Sequence, residues 1–278
     1  MDKNNTLRTN SKTNALELRE LTATRGDKPL TIRPVPAVKR SIDILFLLAA
    51  SKAPRGVTSI ARELDIQPSS CLHILRELAA GGLVHFDAAG KAYSLGPAVL
   101  TLARKFEAKD PFVEVAQPHL DRIARDFGVK TTASVYDGHG HIIVVASAAD
   151  NDSMHIHIRI GMRVPMLASA TGKLIGAFGA WSDDVLRREF AELTWQRSLS
   201  FEDWKAQLGT VRNSCLAADE GQYRIGITVL AVPVFGRERN LDKFMGASVV
   251  SEQLDSQRLK QLGEALNQAA QVVAKELE

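Results

Sequence analysis

The sequence predicts an α/β chain of the α+β kind: an N-terminal winged helix-turn-helix, then a larger domain built on an antiparallel sheet with flanking helices. Three observations carry this. Val57 to Arg76, VTSIARELDIQPSSCLHILR, spaces its apolar residues for two short helices joined by a tight turn rather than for one helix. A strand pair around a Gly-containing turn follows it directly. Beyond Val129, runs of apolar alternation recur around glycine turns. With 278 residues and 45% hydrophobic content, the chain can bury two separate cores.

The elements follow in order. A first helix starts near Ala37 and carries Val38, Ile42, Leu45 and Leu48 at helical spacing, ending before Pro54 and Gly56. In the motif, Ala61 is the small residue where two helices cross. Ile60 and Leu64 seat the first helix, and Ile66, Cys71 and Ile74 seat the second. Thr58 is the expected N-cap of the first helix, and Pro68 opens the second, where a missing N–H costs nothing. Asp65 occupies the turn position that usually takes Gly; Asp is among the few other residues that enter the left-handed region cheaply.

The solvent side of the second helix carries Gln67, Ser69, Ser70, His73 and Arg76. Gln and Arg have the geometry to read base edges, whereas serine hydroxyls at a helix start hold phosphate. For Arg76 the competing reading is an intrahelical or interdomain salt bridge. After Gly81-Gly82, the strands LVHF and KAYSLG flank a turn at Asp87 to Gly90 and form a hairpin, the wing, on which His85 and Lys91 are candidates for phosphate or minor-groove contact. The competing use of such a domain is protein contact alone.

Charge follows the same division. Through Gly96 there are 14 Lys and Arg against 9 Asp and Glu, a balance of +5, which leaves 21 against 23, or −2, for the remainder of a chain with net charge +3. A basic part and a near-neutral part suit a double-stranded DNA reader joined to a separate sensing domain. Residues 1–33 are expected to be a disordered basic tail, 34–96 the winged helix, 97–111 a linker helix and 112–278 the second domain.

The linker helix, PAVLTLARKF, has more apolar surface than a lone connector needs, in Val99, Leu100, Leu102, Ala103 and Phe106, which points to a homodimer or homotetramer. A two-fold protein reads pseudo-palindromes, which supplies specificity that one short helix lacks. Pro118 in the next helical stretch either starts a helix or kinks it. Strands are expected at TTASVYD, HIIVVASA and MHIHIRI, the last with Ile156, Ile158 and Ile160 buried. A final helix spans Leu254 to Leu277, with Leu259, Leu262, Leu266, Ala269 and Val273 packing across the sheet and Ala265 and Ala270 on a core face.

Other classes fit poorly. Cys71 and Cys215 make neither a disulfide framework nor a zinc cluster. No apolar run is long enough for a bilayer, and the amino terminus lacks an apolar signal region, so a cytoplasmic protein is expected. Around Ala170-Thr171-Gly172-Lys173 a superficial P-loop likeness fails, because Leu167 stands for its first Gly and Leu174 for its Ser or Thr. No G-x-S-x-G elbow is present. The best metal candidates are His155 and His157 with His139 and His141, against the alternative of a polar strand face or subunit contact. No cofactor, metal or catalytic residue is predicted. The rival reading is a metabolite-binding enzyme or metal protein with a vestigial winged helix.

The order of modules closely resembles the IclR (isocitrate lyase regulator) family of bacterial transcription factors over residues 34–278. The resemblance rests on the wing ending Tyr93-Ser-Leu95-Gly96, the segment Gly161-Met-Arg163-Val-Pro165-Met-Leu-Ala-Ser169-Ala-Thr171-Gly172-Lys173, the stretch Val211-Arg212 to Asp219-Glu220, Ala231-Val-Pro233-Val, and the strand Gly246-Ala-Ser248-Val-Val. It implies a GAF-like effector-binding domain whose pocket uses Ala170, Thr171, Asp219, Val229 and Ser248. With a helix-start anion site at Ser169 and Thr171, the expectation is regulation of operator binding by a small organic, carboxylic acid. The physical reading agrees in part: Ser169, Thr171 and free backbone N–H groups at a helix start suit a carboxylate, although Ser169 and Thr171 can equally be plain N-caps, and Asp219 can sit on a solvated helix end. Two departures stand out. His73 takes a position where the family commonly has Arg, and Val250 one where it often has a second Ser.

Overall fold

In the computed structural model, residues 35–107, 111–149, 156, 158–236 and 241–278 are described. Two compact units divide them, one within Leu30–Asp110 and the other spanning Pro111–Glu278. The N-terminal tail, His155 and His157 lie outside the described residues.

The first unit contains α1 (Pro36–Ala50), α2 (Val57–Glu63), α3 (Pro68–Ala80), the hairpin β1 (Val84–Asp87) and β2 (Ala92–Leu95), and α4 (Ala98–Glu107). Its core is Ile44, Leu48, Ile60, Ala61, Ile66, Cys71, Leu75, Val84 and Tyr93. Two details differ from the sequence reading. On α1 the buried residues are Ile44 and Leu48, while Val38 and Ile42 are 56% and 47% exposed. The helix carries two neighbouring apolar rows, and contact with α3, rather than periodicity, selects one. On α3, Leu75 is fully buried and Ile74 only half-buried, because the contact face follows the i, i+4 row from Cys71.

The turn between α2 and α3 forms as expected. Asp65 takes φ 52°, and Ile66 N donates to Ala61 O at 2.9 Å, the closure of a Schellman motif. Gly56, not Thr58, is the N-cap of α2; Thr58 already lies inside the first helical turn. The wing pairs antiparallel from Val84↔Leu95 to Asp87↔Ala92. Its tip is closed by the Asp87 carboxylate, which accepts from Ala89 N and Gly90 N, each at 3.1 Å. Arg55 and Tyr93 exchange two backbone hydrogen bonds of 2.8 Å, tying the segment after α1 to the wing. On α4, Leu100, Leu102 and Phe106 are exposed.

The second unit begins with α5 (Pro111–Phe127), which continues through Pro118 rather than starting there. A six-stranded sheet follows, β3 (Lys130–Tyr136), β4 (His141–Ala148), β5 (Arg163–Pro165), β6 (Ala217–Glu220), β7 (Ile227–Val234) and β8 (Lys243–Val250), in the order β5-β4-β3-β8-β7-β6 with every neighbouring pair antiparallel. Between β5 and β6 come α6 (Ser169–Phe178), α7 (Asp183–Ala191) and α8 (Phe201–Ser214), and α9 (Ser256–Glu276) ends the chain. The sheet is covered on both faces. Leu230, Val232, Met245, Ala247 and Val249 meet α5 and α9, where Leu262, Leu266, Ala269, Ala270 and Val273 are buried. Ala217, Ala231 and Phe244 meet α6, α7 and α8.

The strand expected at MHIHIRI does not form in its described residues. Ile158 N bonds back to Ile156 O, the chain turns at Ile160 and Gly161 (φ 82°), and Ile160 is exposed, so β5 starts only at Arg163. Gly161 in the left-handed region breaks the extended run that the isoleucine alternation suggested.

Candidate nucleic-acid interface and effector site

The outer face of α3 is polar because the residues between its core positions are. Gln67, Ser69, His73 and Arg76 are exposed and Ser70 is half-buried. Gln67 is the N-cap, yet no side chain caps the helix and no acidic residue lies in its first turn. The first-turn N–H groups therefore remain open to an anion. Arg76 makes no ion pair among the described residues, in contrast to Arg55, which is engaged by Glu63, Ser51 and Ser59. Lys91, exposed at the wing tip with φ 47°, and His85, exposed on β1, present two further polar groups on the same unit.

In the second unit, strand register aligns three residues that are far apart in sequence. Asp219 pairs with Val229, and Val229 with Ser248. Directly opposed residues of neighbouring strands share a face, so all three lie in one row on the α6–α8 side, where Val229 packs. The row continues to Lys130, the partner of Ser248 on β3. Beside it runs Ala217, Ala231, Gly246, Thr132 and Ser147, and beyond that Pro233, Phe244, Ser134 and Val144. Sequence reasoning named Asp219, Val229 and Ser248. It missed Lys130, Thr132, Ser134 and Ser147, although polar residues at every second position of KTTAS were a visible signal.

Asp219 is 1% exposed on an edge strand, not on a solvated helix end. Its carboxylate accepts from Gln222 N at 2.8 Å and Tyr223 N at 3.2 Å, which organises the loop after β6. From α6, the buried Lys173 ammonium donates to Ala218 O at 2.5 Å and to Gln222 Oε1 at 2.8 Å. Burial lowers its pKa, and the nearby Asp219 and Glu220 carboxylates partly restore it. α6 lies against β6 and β7.

Its N-cap is Ala168, so neither Ser169 nor Thr171 caps the helix. Ala170 is fully buried and Thr171 half-buried. Ser169 has φ 56°, and its Oγ is enclosed without a hydrogen-bond partner. At the far end of the sheet, Asp137 Oδ2 accepts from Arg163 Nη2 at 3.1 Å, and the same nitrogen lies 3.1 Å from His141 Nδ1. Burial is the main reason the His141 pKa falls, with the Arg163 charge adding to it.

The helix-turn-helix family described as the IclR helix-turn-helix domain matches residues 37–88, and the family described as bacterial transcriptional regulator IclR C-terminal matches residues 108–275. The chain belongs to the IclR family of bacterial transcriptional regulators. Among its relatives, the HTH-type transcriptional regulator BhcR of Paracoccus denitrificans is 26% identical over 241 residues, 85% of each chain. The glycerol operon regulatory protein of Streptomyces griseus is 27% identical over 248 residues, 88% of this chain and 97% of that one. The fold is shared with the crystal structure of an IclR transcriptional regulator from Alicyclobacillus acidocaldarius, with TM-score 0.77, 24% identity and coverage of 88% and 100%. It is also shared with an IclR homologue from Microbacterium hydrocarbonoxydans complexed with 4-hydroxybenzoate, with TM-score 0.69, 18% identity and coverage of 87% and 98%. Membership makes this IclR-family chain a DNA-binding transcriptional regulator and removes the enzyme reading. No helix among the described residues is long and apolar enough to cross a membrane.

Proposed function

We propose that this regulator binds an operator through α3 and the wing, and that a small organic acid held on the α6–α8 face of its second domain modulates that binding. Gln67, His73 and Arg76 read the major groove, Ser69, Ser70 and the open amides of α3 hold phosphate, and Lys91 anchors the wing. Ala170, Thr171, Asp219, Val229 and Ser248 line the effector site. The observation that carries this reading is the Asp219–Val229–Ser248 row, a line of polar and small side chains inside a covered sheet, in a chain that also has an uncapped, polar α3. The 4-hydroxybenzoate complex of a structural neighbour supports an acid as the effector class. The exposed Leu100, Leu102 and Phe106 of α4 suit a two-fold partner, and a dimer places two α3 helices on one pseudo-palindromic site.

Fluorescence anisotropy tests the proposal. Purified protein is titrated with its own upstream DNA and with scrambled DNA at two salt concentrations, with and without a panel of carboxylic acids. Preference for the upstream fragment that persists at the higher salt and shifts with one acid is the expected result. Equal, steeply salt-sensitive binding to both DNAs, unchanged by any acid, refutes it. An effector must bind the two states of the protein unequally to act, so the shift in DNA affinity, not acid binding alone, is decisive.

A further inference from the structure

Resting on the effector site proposed above, we infer that Lys130 is its carboxylate anchor and that the hydroxyls around it select a hydroxylated acid over an apolar one. Lys130 lies on β3 at the end of the Asp219–Val229–Ser248 row, with its side chain on the α6–α8 face. Its ammonium donates to Ser147 Oγ at 3.2 Å and makes no ion pair among the described residues. An ammonium has three donors, so two remain unused. A partly buried cation without a counter-charge is costly, and a bound carboxylate supplies that charge. Burial lowers the Lys130 pKa, and no carboxylate pulls it back.

The neighbouring groups define what the rest of the ligand must be. Ser248, the register partner of Lys130, is 4% exposed, and Ser134 on the same face of β3 is 6% exposed. No hydrogen bond among the described residues engages either hydroxyl. Neither oxygen is among the enclosed side-chain atoms that lack a partner, so each is open to a ligand. Gly246 lies between Thr132 and Ala231 in the adjacent row, so the floor beside these hydroxyls has no side chain of its own there. The ammonium reaches toward Ser147 on β4, so a carboxylate bound there brings the second and third carbons of a short acid over Thr132, with Gly246 and Ser248 one strand, about 4.8 Å, further on. Hydroxyls on those carbons pair with the Thr132 and Ser248 hydroxyls; an apolar acid leaves these unpaired, a difference that sites of this kind turn into strong selectivity.

Isothermal titration calorimetry on the full chain tests this with glycerate, lactate, propionate, benzoate and the neutral glyceramide, using the wild type, Lys130→Met, Lys130→Arg and Ser248→Ala. Glycerate is expected to bind at least about tenfold more tightly than propionate, benzoate or glyceramide. Lys130→Met is expected to weaken glycerate by at least about tenfold, Lys130→Arg to restore most of that loss, and Ser248→Ala to narrow the gap between glycerate and propionate. Circular dichroism confirms that each variant is folded. Lys130→Met binding glycerate within about twofold of wild type, or glyceramide matching glycerate, overturns the anchor. If the wild type binds benzoate or propionate as well as glycerate, the hydroxylated class is wrong. If it binds none of the acids, this inference fails; the effector reading fails with it only if no compound of a wider neutral and charged panel alters DNA binding.

Discussion

Gly172→Ala should destabilise the second domain even though alanine is the better helix former. A Cβ on Gly172 would stand 2.0 Å from the Leu167 carbonyl carbon, 2.1 Å from its oxygen and 2.5 Å from its Cα. Non-bonded carbons rest about 3.5–4.0 Å apart, so the turn at Met166–Ala168 must retreat by more than about 1 Å. The obstacle is backbone, which no rotamer change removes. The turn is held by Met166 N to Gly140 O at 2.9 Å and Ala168 N to Pro165 O at 3.0 Å, and Gly172 N itself donates to Ala168 O at 3.0 Å.

Losing two of these bonds costs about 1–3 kcal/mol, and forcing Met166 and Leu167, both buried, out of place adds about 1–3 kcal/mol. Helix propensity returns about 1 kcal/mol. The net loss is about 1–5 kcal/mol, a fall in Tm of roughly 2–20 °C for a domain of this size. All three tryptophans, Trp181, Trp195 and Trp204, lie in this unit, so their fluorescence follows its thermal unfolding. Gly209→Ala is the control. Gly209 lies exposed inside α8 with nothing within 4 Å of where a Cβ would stand, and the substitution should gain about 0.5–1 kcal/mol. A Gly172→Ala protein as stable as wild type, or more so, refutes the steric argument.

Three further outcomes follow from the same domain. Lys173→Met removes the ammonium that holds Ala218 O and Gln222 and should lower stability by about 1–3 kcal/mol in urea titration; an unchanged midpoint would show that the loop after β6 holds itself. Ser169→Gly relieves a left-handed serine and removes an enclosed, unpartnered hydroxyl, so it should raise stability by about 1–2 kcal/mol. A loss of stability would mean that the hydroxyl has a partner in solution. The His141 pKa is lower in the folded than in the unfolded chain, so the unfolded chain takes up the proton first. Stability is then full above pH about 6.5 and declines as pH falls from there to the folded value, where the decline stops. His141→Asn should flatten the Tm profile between pH about 7.5 and about 5, and identical slopes in the two proteins would count against this.

Much of the first unit was legible because its signals are local. The Asp65 turn, Pro68 at the start of α3 and the Asp87 to Gly90 wing each need only a few consecutive residues, whose backbone preferences hold in any context. The row of α1 that is buried was not legible, since Val38–Ile42 and Ile44–Leu48 have equal claim until another helix covers one. In its described residues MHIHIRI forms no strand for a related reason: its alternation is a strand signal, but the turn at Gly161 overrides it.

The sequence by itself determined the element types of the first unit, the antiparallel character of the second and the polar face of α3, because hydrophobic period and turn chemistry are properties of short segments. Only the tertiary structure decided that Asp219, Val229, Ser248 and Lys130 form one row, since that row depends on the register of four strands drawn from distant parts of the chain. It likewise decided that Asp219 is buried and that Lys130 has no ion-pair partner among the described residues. Charge, burial and partner are relations between segments, and they come into being only when the sheet closes.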